Sequence, residues 1–471
     1  MREALNRREF IRSVAGGATA AALARTASAQ EAQAKKPNVI YLFSDEHRWQ
    51  SMSIGDMPEV KTPNMKRLAG QGVAFRHCVS NYPVCSPHRA ILMTGRWPYR
   101  QKMRDKNPGM IDNSLPLSPD QMTLGKAFKN AGYATGYVGK WHLGGVRAEP
   151  FGFDLSLLWG GTNNHWNSKY FPKDATPVVC TEYNATAMSD QALKFIDEHK
   201  DHPFFLMVSW NPPHSNFTDA PEDKKALYPD GSLPSRPNVS GGKYKGKMTE
   251  ERKQKRAKRQ SKSYYGYHAH VTAIDEELGR MMKKLDDLGL AENTILVYSS
   301  DHGSMLGSHG VGGKRQPYEE SIRVPFMVRW PGEVPAGRKV DSLFASIDIM
   351  PSVCAMAGVP VPETCDGQDF SPAMRGQKGP EPKSQFIMHI CKDHASGGQN
   401  HPAPIFRGVT TGRYTYALYP DRPWCLFDNQ TDPYQMKNLI DDPAMAQTRD
   451  EMRAMLAQWL KTAEDPFVMP G

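Results

Sequence analysis

No two of the seven cysteines stand in a C-x-x-C pair, so the sequence holds no zinc-ribbon framework. They fall at Cys78, Cys85, Cys180, Cys354, Cys365, Cys391 and Cys425, and spacing alone pairs none of them. No apolar run is long enough to cross a bilayer; residues 14–24 are too short and too weakly apolar. Internal repeats and RNA- or DNA-binding motifs are also missing. Charge of neither sign dominates. The net value is +9 over 471 residues, and residues 1–29 bring five Arg against two Glu, a share of +3 that leaves +6 elsewhere. Such a mild basic excess suits an anionic substrate without demanding nucleic acid. What remains, 39% hydrophobic and 23% charged, is ordinary for a soluble globular protein of one large domain or two unequal ones.

The first residues have their own pattern. Arg7-Arg8-Glu9-Phe10-Ile11 precedes the Gly/Ala-rich residues 14–24, and Ala27-Ser28-Ala29 ends the segment. This resembles a twin-arginine export signal with an A-x-A cleavage site. The expected division is a signal over 1–29, a large domain over 30–375 and a C-terminal subdomain over 376–471. The expected location is periplasmic or secreted, with the twin-arginine export machinery as a partner. Because that route carries folded proteins, any modification made in the cytoplasm is finished before export.

Along the mature chain, apolar runs of the kind buried parallel strands show alternate with helical patterns. Strands are expected at 39–43, 134–138, 204–210, 294–300 and 324–328. Helices are expected at 62–70, from Cys85 to about Thr94, from Thr123 to Gly132, at 264–288 and at 444–463. Residues 243–262 are strongly basic, which most simply makes a solvated face. Beyond 376 the aromatic-rich stretches 385–389 and 414–419 suggest a smaller, partly antiparallel sheet. The fold class is α/β: a central mixed, mostly parallel sheet flanked by helices, with a C-terminal α+β subdomain carrying an antiparallel sheet.

Chemistry-bearing residues follow the strands. Asp45 and Glu46 end the first run, Lys140 and His142 the second, His214 the third, and Asp301 and His302 the fourth. In open α/β sheets the ligand crevice lies outside the carboxyl ends of the strands, so these residues are expected to converge. Cys85-Ser86-Pro87-His88-Arg89 adds a nucleophile at a helix start, where proline fits the first turn and free N–H groups favour an anion. Arg89 lies one turn further on, on the same face. Taken alone, this stretch also reads as a buried structural cysteine before a helix.

Cys85-Ser86-Pro87-His88-Arg89 with Thr94-Gly95-Arg96, and Gly139-Lys140-Trp141-His142-Leu143-Gly144, resemble the two signatures of the type I, formylglycine-dependent sulfatases of the alkaline-phosphatase-like superfamily. Pro37 to Asp45, Ser300-Asp301-His302-Gly303 to Lys314, and Leu426-Phe427-Asp428 with Asn438-Leu439 match in the same order. The resemblance implies that Cys85 is oxidised to formylglycine (3-oxoalanine) by a formylglycine-generating enzyme. The hydrated aldehyde then attacks the sulfur of a sulfate ester and later expels sulfate. It implies metal ligation by Asp45, Glu46, residue 85, Asp301 and His302, with calcium first and magnesium or manganese as alternatives. Arg89 and Lys140 would position the formylglycine and Lys314 would offset charge on the sulfate. His142 would be the base that collapses the intermediate, and His214 with Lys314 the acid for the leaving oxygen.

Two positions depart from the commonest family pattern. Glu46 replaces an aspartate and His302 an asparagine. The histidine widens the choice of metal towards manganese or zinc. It also keeps a phosphonate monoester or phosphodiester hydrolase as the alternative activity. A catalytically dead anion-binding protein is the remaining possibility, and it predicts an intact Cys85 thiol. The expected substrate is a sulfated saccharide, with Arg48, His165, Trp166 and Tyr170 as candidates to grip it.

Overall fold

Residues 38–45 are apolar almost without a break, and the strand they form, β1 (Asn38–Asp45), is buried along its whole length. Alternate side chains serve two different cores, as strand geometry requires. Val39, Tyr41 and Phe43 pack in one cluster with Leu92, Met93 and Phe128, and Ile40 and Leu42 in a second cluster on the other face. The computed structural model describes residues 36–101, 116–160, 163–239, 250–390 and 404–471, and only the backbone of 250–260. The expected signal at 1–29, Cys391 and the start of the basic stretch 243–262 lie outside the described residues.

β1 sits inside a ten-stranded sheet. Its further strands are β2 (Val73–Phe75), β4 (Ala134–Lys140), β5 (Leu155–Trp159), β6 (Ser168–Phe171), β7 (Val178–Cys180), β8 (Phe204–Pro213), β9 (Thr294–Ser300), β11 (Phe326–Arg329) and β12 (Arg338–Val340). Their order is β12-β2-β11-β9-β1-β8-β4-β5-β6-β7. The strands β9, β1, β8, β4 and β5 at the centre run parallel, while β11, β6 and β7 pair antiparallel. A three-stranded sheet joins β3 (Cys78–Val79), β10 (Arg323–Val324) and β13 (Phe344–Ala345). A separate antiparallel sheet runs through β14 (Gln385–His389), β15 (Phe406–Thr410), β16 (Tyr414–Leu418) and β17 (Pro423–Asp428). The mixed, mostly parallel sheet and the C-terminal antiparallel sheet are both as expected.

Helices cover both faces of the large sheet. On one side α1 (Pro63–Gly70), α4 (Asn184–His199) and α5 (Glu250–Asp287) contribute Met65, Leu68, Met188, Phe195, Ile274 and Leu278 to one core. On the other, α2 (Cys85–Thr94), α3 (Leu124–Asn130) and α6 (Ile349–Met356) contribute Leu92, Met93, Phe128, Met350 and Val353. The last helix, α7 (Ala446–Thr462), lays Met452 and Leu456 on the C-terminal sheet, whose core also takes Ile91 and Trp97 from the Cys85 region. No described helix is long and apolar enough to cross a membrane.

Three expectations need correction. The single strand at 324–328 is two strands in different sheets, because Pro325 lacks the N–H that a continuous ladder needs. The helix expected from Tyr264 begins at Glu250, inside the basic stretch. The strands at 134 and 204 run on to Lys140 and Pro213, into the region where the chemistry lies.

Candidate active site

The parallel strands β1, β4, β8 and β9 all end at one edge of the sheet, and each delivers its polar residues there. Asp45 closes β1, where the register against β8 shifts between Ser44 and Asp45 and the chain leaves the ladder. Glu46 follows with φ +74°, a backbone that turns its carboxylate back over the same edge. Lys140 closes β4 directly after Gly139. That glycine has φ +115°, and a Cβ there would lie 2.1 Å from the Ser209 carbonyl oxygen, so β4 and β8 approach more closely than any side chain permits. His214 and Asp301 are the first residues past β8 and β9.

Cys85 is the first residue of α2 and is 1% exposed. Its sulfur lies 3.2 Å from His302 Nε2, 3.4 Å from Lys314 Nζ and 3.6 Å from Asp45 Oδ1. Burial alone would raise this thiol's pKa. The cations Lys314 and Lys140, with His302, outweigh it and hold the thiol well below its ordinary range. The pocket is thus built to stabilise negative charge at residue 85.

Arg89 turns to the carboxylates. Its Nη2 donates to Asp45 Oδ2 and Asp301 Oδ2, both at 3.0 Å, and Nε donates to Asp301 Oδ2 at 3.2 Å. Nη1 donates to the Lys140 carbonyl and to Ser209 Oγ, each at 2.7 Å, and the guanidinium lies 4.9 Å from the centre of the Phe43 ring. Through these bonds it ties α2 to β1, β4, β8 and the Asp301 turn.

Asp45 and Asp301 are both completely buried. Burial and the Cys85 charge oppose ionisation of Asp45, yet Lys140, His214 and Lys314 hold it in the carboxylate form; Lys140 Nζ is 2.6 Å away. Burial and the facing Asp45 charge push Asp301 up. Its Oδ1 accepts from the backbone N–H groups of Glu46 and His302 at 3.0 and 2.9 Å. Glu46 accepts from Ser304 Oγ at 2.9 Å and from Lys314 Nζ at 3.0 Å, and His214 Nε2 lies 3.5 Å from its second oxygen. Against burial, Lys314 and His214 keep Glu46 ionised. His302 Nδ1 meets the Gly303 carbonyl at 2.9 Å, leaving Nε2 for the site, and against burial Asp301 raises its pKa. His142, with φ +54°, is kept neutral mainly by burial, and its Nδ1 has no hydrogen-bond partner.

All the site residues expected from the sequence therefore meet: Asp45, Glu46, Cys85, Arg89, Lys140, His142, His214, Asp301, His302 and Lys314. Of the four saccharide candidates, Arg48 does not fit. It is fully buried, bonded through Nε to Ser51 Oγ at 2.8 Å. Tyr170 stacks on Trp159 with ring centres 5.0 Å apart, on the outer strands of the sheet. His165 is buried against Asp219, and Trp166 is exposed. Ser209, Ser304 and Tyr267, whose hydroxyl donates to the Glu46 carbonyl at 2.7 Å, support the site and were not singled out in the sequence. Ser209 left a signal: one hydroxyl in the otherwise apolar run 204–210 needs a partner when buried.

The Sulfatase family model matches residues 37–359, and the model for the C-terminal part of N-sulphoglucosamine sulphohydrolase matches residues 307–462. The chain is 34% identical over 451 residues to an ulvan-active sulfatase of Formosa agariphila, covering 93% of this chain and 84% of that one. It is 30% identical over 498 residues to an endo-4-O-sulfatase of Bacteroides thetaiotaomicron, covering 92% and 94%. A solved structure in complex with its substrate D-glucosamine-2-N,6-O-disulfate superposes with a TM-score of 0.80 at 25% identity, covering 92% of this chain and 99% of that one.

Proposed function

Since the chain belongs to the sulfatase family, with its alkaline-phosphatase-like fold, and is an enzyme that hydrolyses sulfate esters, we propose that it does so with a formylglycine made from Cys85 and with a bound divalent cation. The observation that carries this reading is the setting of Cys85. A buried residue at a helix N-terminus, facing Lys314, Lys140 and His302, is poised for an oxyanion. When converted and hydrated, residue 85 supplies one hydroxyl to attack sulfur and a second to drive sulfate out. The Cys85 sulfur stands in for the attacking oxygen.

The donor set fits a cation. Asp45 and Asp301 are buried side by side, so closely that Asp45 pushes Asp301 towards its neutral form. A cation would relieve this. Asp45, Glu46, Asp301 and His302, with residue 85, are the groups that would hold it, and calcium is proposed first because oxygen ligands predominate. Bound there, it would polarise the sulfate and lower the pKa of the attacking hydroxyl.

The side chains of the chain itself do the rest. Lys140, 2.6 Å from Asp45, helps to position residue 85, and Lys314 would offset charge on the sulfate oxygens. His142, neutral through burial, is the base that collapses the intermediate. His214 protonates the leaving oxygen and Glu46 orients it. If so, His214→Ala should cost about 10²–10⁴-fold in kcat on an alkyl sulfate. It should cost far less on 4-nitrophenyl sulfate, whose leaving group needs no proton. Equal losses on both esters would remove His214 from the acid role.

The substrate we propose is a sulfated saccharide, on the strength of the relatives' named activities, and the location is periplasmic or secreted through the residues 1–29 signal. The proposed division remains a catalytic domain over 30–375 and a subdomain over 376–471. Peptide mass spectrometry across residues 77–89, on protein from a host able to make formylglycine, tests the chemistry; a thiol intact in every molecule would overturn it. Phosphonate monoester or phosphodiester hydrolysis stays as a second reading because of the Asp301–His302 pair. A clear preference for an aryl phosphate diester over an aryl sulfate would favour it.

A further inference from the structure

Beyond the catalytic residues, the loop that carries His214 is held by a second polar cluster. Five residues after His214, Asp219 Oδ1 meets His165 Nδ1 at 2.6 Å and His270 Nε2 at 3.3 Å. His270 Nε2 is also 3.1 Å from the Asn216 carbonyl, and its Nδ1 is 2.7 Å from the Tyr183 hydroxyl. Phe217, between these anchors, packs on the Tyr267 ring at 5.6 Å, and Tyr267 in turn bonds the Glu46 carbonyl. Burial first, then the charge of His270 and, least, that of the nearby His214, hold His165 down to a pKa of about 4. The cluster thus fixes His214 relative to the strand β6 side of the site.

It also fixes an indole. Trp166 Nε1 donates to the Asp219 carbonyl at 2.7 Å, and the ring leans on Tyr183 with centres 5.6 Å apart. The residue is nonetheless 38% exposed, more than any other Trp, Tyr or Phe among the described residues. An exposed indole with its N–H tied down and its ring held against a tilted tyrosine ring cannot tumble. A rigid aromatic surface of this kind binds the apolar C–H face of a sugar ring at low entropic cost. We propose that Trp166 is the platform on which the leaving saccharide stacks, and that Asp219 keeps this platform in register with His214. The proposal rests on the reading that the ester is a saccharide sulfate. In it, Asp219 is a positioning residue, acting on substrate only through Trp166 and the His214 loop.

The test uses the full chain and two saccharide probes, D-glucosamine-2-N,6-O-disulfate and a fraction of ulvan oligosaccharides. Binding is measured by isothermal titration calorimetry on Cys85→Ala protein, which cannot turn them over, with and without Trp166→Ala. Expected is a loss of affinity of tenfold or more for the bound saccharide on truncating Trp166, partly recovered by Trp166→Phe, which keeps an aromatic face but loses the bond to the Asp219 carbonyl. In active protein, Trp166→Ala should raise KM for that saccharide at least tenfold more than it affects kcat/KM for 4-nitrophenyl sulfate. Equal losses on saccharide and aryl ester, no recovery with phenylalanine, or failure of both saccharides to bind would overturn the platform. A saccharide that binds in a Trp166-dependent way but yields no sulfate with the active protein would instead count against its being the ester substrate, leaving the platform intact.

Discussion

Replacing Cys85 by alanine should abolish turnover, by about 10⁴-fold or more in kcat, while the protein still folds. The large effect follows from what surrounds the residue. Lys314, His302 and Asp45 all lie within 3.6 Å of its sulfur, and none of them carries the paired hydroxyls that the proposed attack and sulfate release need. The small effect on folding follows from size. Alanine removes one buried sulfur atom at a helix start, and α2 keeps its remaining hold through Leu92, Met93 and Arg89. Kinetics on an activated aryl sulfate and a thermal melt check both halves. A variant retaining wild-type activity would remove residue 85 as nucleophile; a variant that fails to fold would show that the sulfur has a structural part as well.

Arg89→Ala should be the most damaging substitution for stability, at about 3–5 kcal/mol, because it strips the cation from two buried carboxylates. That is a large fraction of the roughly 5–15 kcal/mol by which domains are stable. The loss should be greatest in chelator. Without Arg89, Asp45 and Asp301 face each other with less positive charge nearby, so they should take a divalent cation more avidly. Added calcium should then raise the urea midpoint of the variant by more than that of the wild type. If both proteins unfold at the same urea concentration in chelator, the guanidinium is not the counter-ion described here. Activity should fall too, because Arg89 holds Lys140 through its carbonyl and Ser209 through its hydroxyl.

That second role of Arg89 marks the limit of sequence reading. The i, i+4 spacing from Cys85 put both residues on one face of α2, and both do face Asp45. Spacing says nothing about where a long side chain ends, so Arg89's turn towards Asp45 and Asp301 was not visible. The residues at strand ends were legible because four buried parallel strands must all finish at one edge, and the chain places its acids, lysines and histidines just there. Supporting groups were not legible where they came from elsewhere in the chain: Tyr267 reaches Glu46 from the middle of α5, 221 residues away. Among the elements, α4 went unnoticed although it packs on β8 through Met188 and Phe195. The break at Pro325 was readable in principle. Apolar residues on both sides, Val324 and Phe326, mask it.

The burial of Cys85 has a practical consequence. With 1% of the residue exposed, the folded chain leaves a modifying enzyme no access to the thiol. On the proposed conversion of Cys85, modification and folding are therefore in a race, and the outcome is sealed once the chain closes. Each preparation would carry a fixed proportion of competent and inert molecules with the same fold. Specific activity would then vary between expression hosts while melting behaviour stayed constant, and an active-site titration, rather than total protein, would be the proper denominator for every rate measured on this enzyme.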